Sequence, residues 1–223
     1  MLELDARQAY DRLGPAYPDH AANAVMKAEQ RAMLTALPCS LAHQRVLDAG
    51  CGTGRYMRVA RERRAAQVIG VDLSLGMLQA NREAGRVQAS VTQLPVPTAW
   101  ADTVICALVL GHVADLGAAV RELARVVRAD GRIICTDIHP VGATRGWRRT
   151  FGVGDEKFAI RHVWRDAADW RTAAASAALR VRRFEDVFLA PADVDEQTGF
   201  DLAALELPVV MLIELEPSGR PGG

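Results

Sequence analysis

The segment VLDAGCGTG, from Val46 to Gly54, concentrates residue types that can bind a ligand through the backbone. Asp48 ends an apolar run, and glycines follow at positions 50, 52 and 54. Glycines at this spacing let the chain turn tightly and lie directly against a ligand, because no Cβ atom intervenes. A helix that follows such a loop points unpaired N–H groups at the ligand. The segment therefore predicts a ligand site at the end of a strand.

Two acidic residues and one arginine around this loop indicate which ligand it binds. A dinucleotide fingerprint needs a third glycine where Arg55 stands, and a long side chain there would obstruct the packing of helix on strand. Asp48 would repel a pyrophosphate but would suit a cationic ligand. Asp72, in the next apolar run, can accept hydrogen bonds from both hydroxyls of a ribose. These features predict a nucleoside without phosphates that carries positive charge, which is the profile of S-adenosylmethionine.

Three histidines that follow later apolar runs are candidate catalytic residues. His112 should lie near a transferred methyl group, as a base, a substrate contact or a wall residue. His139, with Asp137 two residues earlier, could touch substrate or cap the turn that follows it. His162 lies in a segment that we expect to form an extended lid, where it could face substrate or solvent.

Short apolar runs alternate with amphipathic segments, which is typical of βαβ units around a parallel sheet. Strands are expected at residues 45–49, 67–71, 86–89, 103–110, 133–137, 181–189 and 207–215. Ser74 and Asp115 are predicted N-caps of the helices that follow them. Gly131 should end the second of these helices in the left-handed C′ position. A further helix is expected at residues 166–179.

One domain in three consecutive segments is expected. Residues 1–39 should form a helical cover, with helices at residues 2–13 and 21–37 broken by Gly14-Pro15 and Pro18. Residues 40–138 should form the ligand-binding core. Residues 139–223 should supply an irregular lid segment at 139–154, a helix and the last two strands. Within that lid, the cluster of Arg145, Trp147, Arg148 and Arg149 could bind an acidic substrate, but arginine is abundant throughout, which favours a solvated loop with one buried tryptophan.

Composition excludes several classes of partner. Lys and Arg total 27 and Asp and Glu total 27, so the formal net charge is zero, which argues against a nucleic-acid partner. The charged start MLELDARQAY lacks the features of a signal peptide, and the longest apolar run, 104–110, is too short for a membrane span. A cytoplasmic protein without a membrane partner is expected. The four cysteines show no CxxC spacing, and no metal site is predicted.

Several motifs in a consistent order resemble the class I S-adenosylmethionine-dependent methyltransferases, in their small-molecule branch with a type 11/25-like domain. VLDAGCGTG resembles the first motif of that family, and GVDLS (residues 70–74) resembles its acidic second strand. QLPVP (93–97) resembles the stretch after its third strand. LGHVADL (110–116) and ELARVVRADGRIICTD (122–137) resemble the region of its fourth and fifth strands. The resemblance covers residues 40 to 140 and implies a Rossmann-like, doubly wound α/β fold with seven mostly parallel strands, the last antiparallel.

The resemblance also implies which residues bind the cofactor, S-adenosylmethionine. Asp72 would hold the ribose, and the other residues would contact the methionyl part or the adenine or close over the site. These are Tyr10, Tyr17, Asp48, Gly50, Cys51, Gly52, Gly54, Leu73, Met77, Ser90, Val91, Ala107, Leu108 and His112. Many relatives carry Asp where Ser90 stands.

The predicted function is transfer of a methyl group from S-adenosylmethionine to an O, N or C atom of a small metabolite. The main alternative is a partner subunit that binds the nucleoside but has lost methyl transfer. An NAD(P)-dependent oxidoreductase is a further alternative, which Arg55 and Asp48 disfavour.

Overall fold

The computed structural model describes residues 1–153, 156–194 and 205–219, and within them it contains ten strands and seven α-helices. The strands are β1 (Leu2–Leu4), β2 (Arg45–Ala49), β3 (Gln67–Asp72), β4 (Arg86–Gln88), β5 (Ala101–Ala107), β6 (Val127–Ile138), β7 (Thr150–Val153), β8 (Glu156–Ile160), β9 (Leu179–Phe188) and β10 (Pro208–Pro217). The helices are α1 (Ala6–Leu13), α2 (Ala24–Ala36), α3 (Arg55–Glu62), α4 (Leu75–Ala80), α5 (Leu116–Val126), α6 (Val141–Thr144) and α7 (Ala167–Ser176).

Seven strands form the central sheet, in the order β4-β3-β2-β5-β6-β10-β9. The pairs from β4 to β6 are parallel, and β10 runs antiparallel to both of its neighbours. The predicted fold, a Rossmann-like sheet with an antiparallel last strand, is confirmed. The strand order changes direction at β2, which lies between β3 and β5. Ligands of open α/β sheets bind beyond the carboxyl ends of the strands at such a point.

Alternate residues of the strands pack on opposite faces of the sheet, as the period of a strand requires. Val104 and Cys106 of β5 belong to the hydrophobic core on the side of α5 and α7, together with Trp170. Ile105 belongs to the core on the side of α2 and α3, where it is buried with Met33. The sheet is therefore covered on both faces.

Short polar side chains fix the starts of several helices. Ser74 accepts a hydrogen bond from Met77 N at the start of α4, and Asp115 accepts one from Ala118 N at the start of α5. Both predicted N-caps are confirmed. Asp166 caps α7 in the same way, and its own backbone N–H donates a reciprocal hydrogen bond to the side chain of Asp169.

The predicted role of Gly131 is wrong. Helix α5 ends at Val126, and the chain continues directly into β6, so Gly131 lies inside a strand and does not take a left-handed conformation. A Cβ atom at Gly131 would lie 2.9 Å from the carbonyl oxygen of Asp102 in β5. The glycine is therefore explained by the close approach of two strands.

A second sheet of three strands, in the order β1-β8-β7, was not predicted. Residues at the start of the chain form a strand, and part of the segment predicted to be irregular forms α6 and β7, while residue 154 lies outside the described residues. Strand β1 runs parallel to β8, with Leu2 opposite Phe158 and Leu4 opposite Ile160. From here on, 'the cover' means β1, α1, β7 and β8, and not the helical cover predicted at residues 1–39. The predicted three-segment division stays a prediction, and β1 joins its first segment to its third.

Within the described ranges, no helix has both the length and the apolar character that a membrane span needs.

Candidate active site

The glycine loop lies between β2 and α3, at the point where the strand order changes direction. Gly50, Gly52 and Gly54 have φ values of +88°, +50° and +91°, in the left-handed region that favours glycine. A Cβ atom at Gly50 would lie 2.1 Å from Val109 Cγ2, and one at Gly54 would lie 2.4 Å from Asn81 Oδ1. Side chains at these positions would therefore displace neighbouring residues.

The Asp72 carboxylate holds this loop in place. Its Oδ2 accepts a hydrogen bond from Gly52 N at 2.8 Å, and its Oδ1 accepts one from Ser74 N at 2.8 Å. Burial raises the pKa of Asp72, and these backbone hydrogen bonds oppose that rise. Each oxygen has a second lone pair, so Asp72 can still accept hydrogen bonds from a ligand.

Asn81 supports the same loop from the other side, although it lies in no motif that predicted a role for it. Its Nδ2 donates to the carbonyl oxygen of Gly52 at 3.1 Å, and its Oδ1 accepts from Glu83 N at 2.8 Å. The side chain is buried. Gly52 is therefore held through its N–H by Asp72 and through its carbonyl by Asn81.

The loop and Asp72 form one wall of a cavity, which we call the glycine-loop cavity. The structure brings almost all of the predicted cofactor-binding residues together on its wall. These are Tyr10, Tyr17, Gly50, Cys51, Gly52, Asp72, Leu73, Met77, Ser90, Val91, Ala107, Leu108 and His112. Asp48 and Gly54 do not line it: Asp48 is buried beneath the loop, and Gly54 is the N-cap of α3.

Asp48 is a buried carboxyl group with 1% of its surface exposed. Among the described residues, its Oδ2 has no hydrogen-bond partner. Burial, with a smaller contribution from the nearby Asp72 charge, raises the pKa of Asp48 from 3.8 to about 7. The folded chain therefore holds a proton on Asp48 at pH values where the unfolded chain has released it.

This difference predicts a pH-dependent effect of Asp48→Asn on stability. Between pH 4 and 7 the folded wild-type chain binds more protons at this site, so its stability from Asp48 falls as the pH rises through that window. Asparagine cannot ionise. The variant should therefore gain about 1–3 kcal/mol relative to wild type between pH 5 and pH 8. Urea unfolding of both chains at several pH values measures this, and a constant difference would contradict it.

His112 contacts Tyr10 of α1 and the backbone of the residue that follows β8. Its Nδ1 lies 2.9 Å from the carbonyl oxygen of Arg161, and its Nε2 lies 3.1 Å from Tyr10 Oη. Because a carbonyl only accepts, we assign the proton to Nδ1, so Nε2 accepts a hydrogen bond from the Tyr10 hydroxyl. Burial lowers the pKa of His112 to about 4. The imidazole is therefore neutral at pH 7.

The other two candidate histidines lie in different places. His162 packs edge-on against His112, at 5.4 Å between ring centroids, and its Nε2 lies 4.0 Å from Asp137 Oδ1. His139 does not line the glycine-loop cavity. Its Nδ1 accepts from Val141 N at 3.1 Å, and its Nε2 lies 3.3 Å from Asp186. His139 therefore caps the turn that follows it, which was the alternative interpretation of this residue.

A second cavity adjoins the first and has a volume of about 670 Å³, in the range of ligand pockets. We call it the tryptophan cavity, because Trp147 and Trp164 line it together with His162. The two cavities share four wall residues, which are Met26, Leu108, His112 and Arg149.

The arginine cluster of the lid is divided by the structure. Arg148 and Arg149 line the tryptophan cavity, whereas the exposed Arg145 lines neither cavity. The expectation of a solvated loop is therefore wrong for Arg149, which is partly buried between two tyrosines. Because arginine is abundant throughout the sequence, the sequence alone did not distinguish Arg149 from the solvated arginines.

Arg55 at the start of α3 is held by a buried glutamate from α2. Its Nη2 lies 2.7 Å from Glu29 Oε2, and the same carboxylate accepts from Tyr56 Oη and Thr136 Oγ1. Glu29 has no exposed surface. Glu29 lies in α2, which contains none of the sequence motifs, so no motif predicted a role for it. The arginine therefore fixes α2 against the glycine loop, where a dinucleotide fingerprint has its third glycine.

The amino-acid sequence of this chain is similar to the sequences of known methyltransferases. Residues 47–135 match a family model described as a methyltransferase domain. A malonyl-(acyl-carrier protein) O-methyltransferase from Enterobacter lignolyticus is 32% identical over 166 residues, covering 72% of this chain and 64% of that protein. A protein of the same description from Serratia marcescens is 39% identical over 95 residues, which are 41% of this chain and 37% of that protein. The chain thus spans less than two thirds of the length of these curated relatives.

Solved structures share the fold at low sequence identity. An S-adenosylmethionine-dependent methyltransferase from Mesorhizobium loti superposes with a TM-score of 0.69 at 21% identity, over 84% of this chain and 97% of that one. The 4+2 cyclase SpnF superposes with a TM-score of 0.67 at 18% identity, over 98% and 99% of the two chains. These similarities concern the fold alone. Residues 47–135 of this chain are thus similar to the methyltransferase domain family, and the chain has the Rossmann-like fold of class I S-adenosylmethionine-dependent methyltransferases.

Proposed function

We propose that the chain binds S-adenosylmethionine in the glycine-loop cavity and transfers its methyl group to a small molecule in the tryptophan cavity. The shared wall of the two cavities, formed by Met26, Leu108, His112 and Arg149, is the observation that carries this proposal. Methyl transfer requires donor and acceptor atoms in line and in contact. Two adjoining cavities of this kind provide that arrangement.

The residues of the glycine-loop cavity fit S-adenosylmethionine. Asp72 offers free lone pairs to ribose hydroxyls, and the glycine loop offers backbone without intervening Cβ atoms. Met77 and Val91 supply apolar wall for an adenine ring. The bound cofactor would supply an electrophilic methyl group on a sulfonium. The chain would orient it and exclude water, with Tyr10 and Tyr17 of the N-terminal region over the site.

His112 is the candidate base that lines both cavities. Its Nε2 is the unprotonated ring nitrogen, and its lone pair accepts a hydrogen bond from Tyr10. Burial raises the pKa of Tyr10, so the tyrosine remains a donor. A proton from the acceptor would reach Nε2 only after Tyr10 moves. The low pKa of His112 suits an acceptor that gives up its proton easily.

Calorimetry with S-adenosylhomocysteine, NAD and NADP tests the cofactor assignment. Binding of S-adenosylhomocysteine alone supports the proposal, and preference for NAD or NADP would overturn it. Turnover is then measured as S-adenosylhomocysteine formed from S-adenosylmethionine over a panel of small metabolites. Cofactor binding without turnover on any of them would favour a chain that binds the nucleoside but has lost transfer. The cytoplasmic location and the lack of a nucleic-acid partner stay predictions.

Closure of the cover predicts a pattern of hydrogen exchange. Tyr10 of α1 lines the glycine-loop cavity, and β1 is paired with β8. Binding of S-adenosylhomocysteine should therefore slow amide exchange in α1, β1 and β8 together, and by more than in β10. Strand β10 is the control, because ligand binding stabilises the whole fold. Equal slowing in β10 and the cover would indicate that the cover is a fixed packing element.

A further inference from the structure

Arg149 lies where the two cavities meet, and its guanidinium is in contact with two tyrosines. Its Nη2 donates a hydrogen bond to Tyr17 Oη at 2.6 Å. Its guanidinium carbon lies 5.4 Å from the ring centroid of Tyr10 and 5.7 Å from that of Tyr17. In the part of the chain that the structure describes, no carboxylate lies within ion-pair distance of Arg149.

This environment differs from that of another arginine at the same cavity. Arg55, which also lines the glycine-loop cavity, is paired with the buried Glu29. A guanidinium taken out of water loses hydration that a tyrosine hydroxyl and two ring faces replace only in part. A buried charge without a counter-ion is costly, and an anionic ligand group would offset that cost.

We infer that Arg149 and Tyr17 form a binding site for the oxyanion, in the first place a carboxylate, of a small molecule bound at the junction of the two cavities. A guanidinium presents a planar fork of donors that matches a carboxylate. The two tyrosine rings restrict its orientation, and Nη2 is already engaged by Tyr17, so the remaining N–H groups are the donors for the ligand. The inference rests on the proposed function for the identity of the cavities.

Two carboxylates could occupy this site. One is the carboxylate of the methionyl part of the cofactor, since Arg149 lines the glycine-loop cavity. The other belongs to a methyl acceptor, since Arg149 also lines the tryptophan cavity. The chemistry of recognition is the same in both cases. The test therefore has one arm for each source.

The first arm compares S-adenosylhomocysteine with 5′-methylthioadenosine, which has the adenine, ribose and thioether but no carboxylate. If Arg149 binds the cofactor carboxylate, Arg149→Met should weaken S-adenosylhomocysteine by about 10-fold or more in calorimetry. Binding of 5′-methylthioadenosine should stay unchanged. Arg149→Lys should recover part of the loss, because it keeps the charge but not the fork.

The second arm compares benzoate with its neutral relative benzamide, with and without S-adenosylhomocysteine. Trp147 and Trp164 line the tryptophan cavity, so quenching of tryptophan fluorescence reports binding there. If Arg149 binds an acceptor carboxylate, wild type should bind benzoate about 10-fold or more tightly than benzamide, and Arg149→Met should lose that preference.

Arg145→Met is the matched control, because Arg145 is exposed and lines neither cavity. It should leave both comparisons unchanged, and melting curves should show that all variants fold. The inference is overturned if Arg149→Met changes neither the ratio of the two nucleoside affinities nor the preference for benzoate. If wild type binds neither nucleoside, the proposed function fails, whereas the benzoate comparison without nucleoside still decides the role of Arg149.

Discussion

A Gly52→Val variant should lose measurable binding of S-adenosylhomocysteine while remaining folded. Gly52 lines the glycine-loop cavity with φ of +50°, and a Cβ atom there would lie 3.0 Å from Met77 Cε on the same cavity wall. The two methyl groups of valine would extend further into the space that the cofactor needs. The left-handed backbone adds a cost of roughly 1–2 kcal/mol to folding for a residue with a Cβ. Calorimetry and thermal melting separate the two effects.

Gly146→Val is the control for backbone strain. Gly146 also has a positive φ, +67°, but a Cβ atom there meets no heavy atom within 4 Å, and the residue lies outside the glycine-loop cavity. This variant should lose some stability and keep its affinity for S-adenosylhomocysteine. If Gly52→Val binds the ligand normally, the assignment of the loop as the cofactor site is wrong.

Asp72→Ala should weaken binding of S-adenosylhomocysteine by about 1.5–3 kcal/mol, which corresponds to about 10- to 150-fold. The variant removes the acceptors for the ribose hydroxyls. It also removes the hydrogen bonds to Gly52 N and Ser74 N, so the glycine loop loses a support. Asp72→Asn keeps one acceptor oxygen and should lose less affinity. Calorimetry on both variants tests this order.

Asp102→Ala is the control for Asp72→Ala, because it removes a carboxylate that supports the backbone but does not line a cavity. Asp102 accepts a hydrogen bond from Arg45 N at 2.7 Å, at the other end of β2, and lines neither cavity. Its removal should lower the melting temperature and leave the affinity unchanged. An Asp72→Ala variant with unchanged affinity and normal melting would remove Asp72 from the binding site.

Local sequence signals predicted the part of the fold that carries the cofactor site. The strand at Arg45–Ala49 has the predicted bounds, because an apolar run there ends at a glycine loop whose backbone only glycine adopts easily. Ser74 and Asp115 were identifiable as N-caps because their side chains bond residues three positions ahead. Each of these features depends on residues that are close in sequence.

The features that the sequence did not predict depend on residues far apart in the chain. Strand β1 has only three residues and is defined by its pairing with β8, more than 150 positions later. Arg149 is distinguished from the other arginines only by Tyr10 and Tyr17, which lie far earlier in the chain. Gly131 shows the converse error. Its local context suggested a helix end, but the approach of β5 explains it.

Because β1 pairs with β8, the walls of the tryptophan cavity and of the glycine-loop cavity cannot be changed independently of each other. Ala159 and Ile160 of β8 line the tryptophan cavity. Ile160 also lies opposite Leu4, two residues before the start of α1, the helix that carries Tyr10. An exchange of the β7–β8 hairpin intended to change acceptor preference would therefore also displace the tyrosine over the cofactor cavity. Grafting experiments on this chain should treat β1, α1 and the hairpin as one exchangeable module.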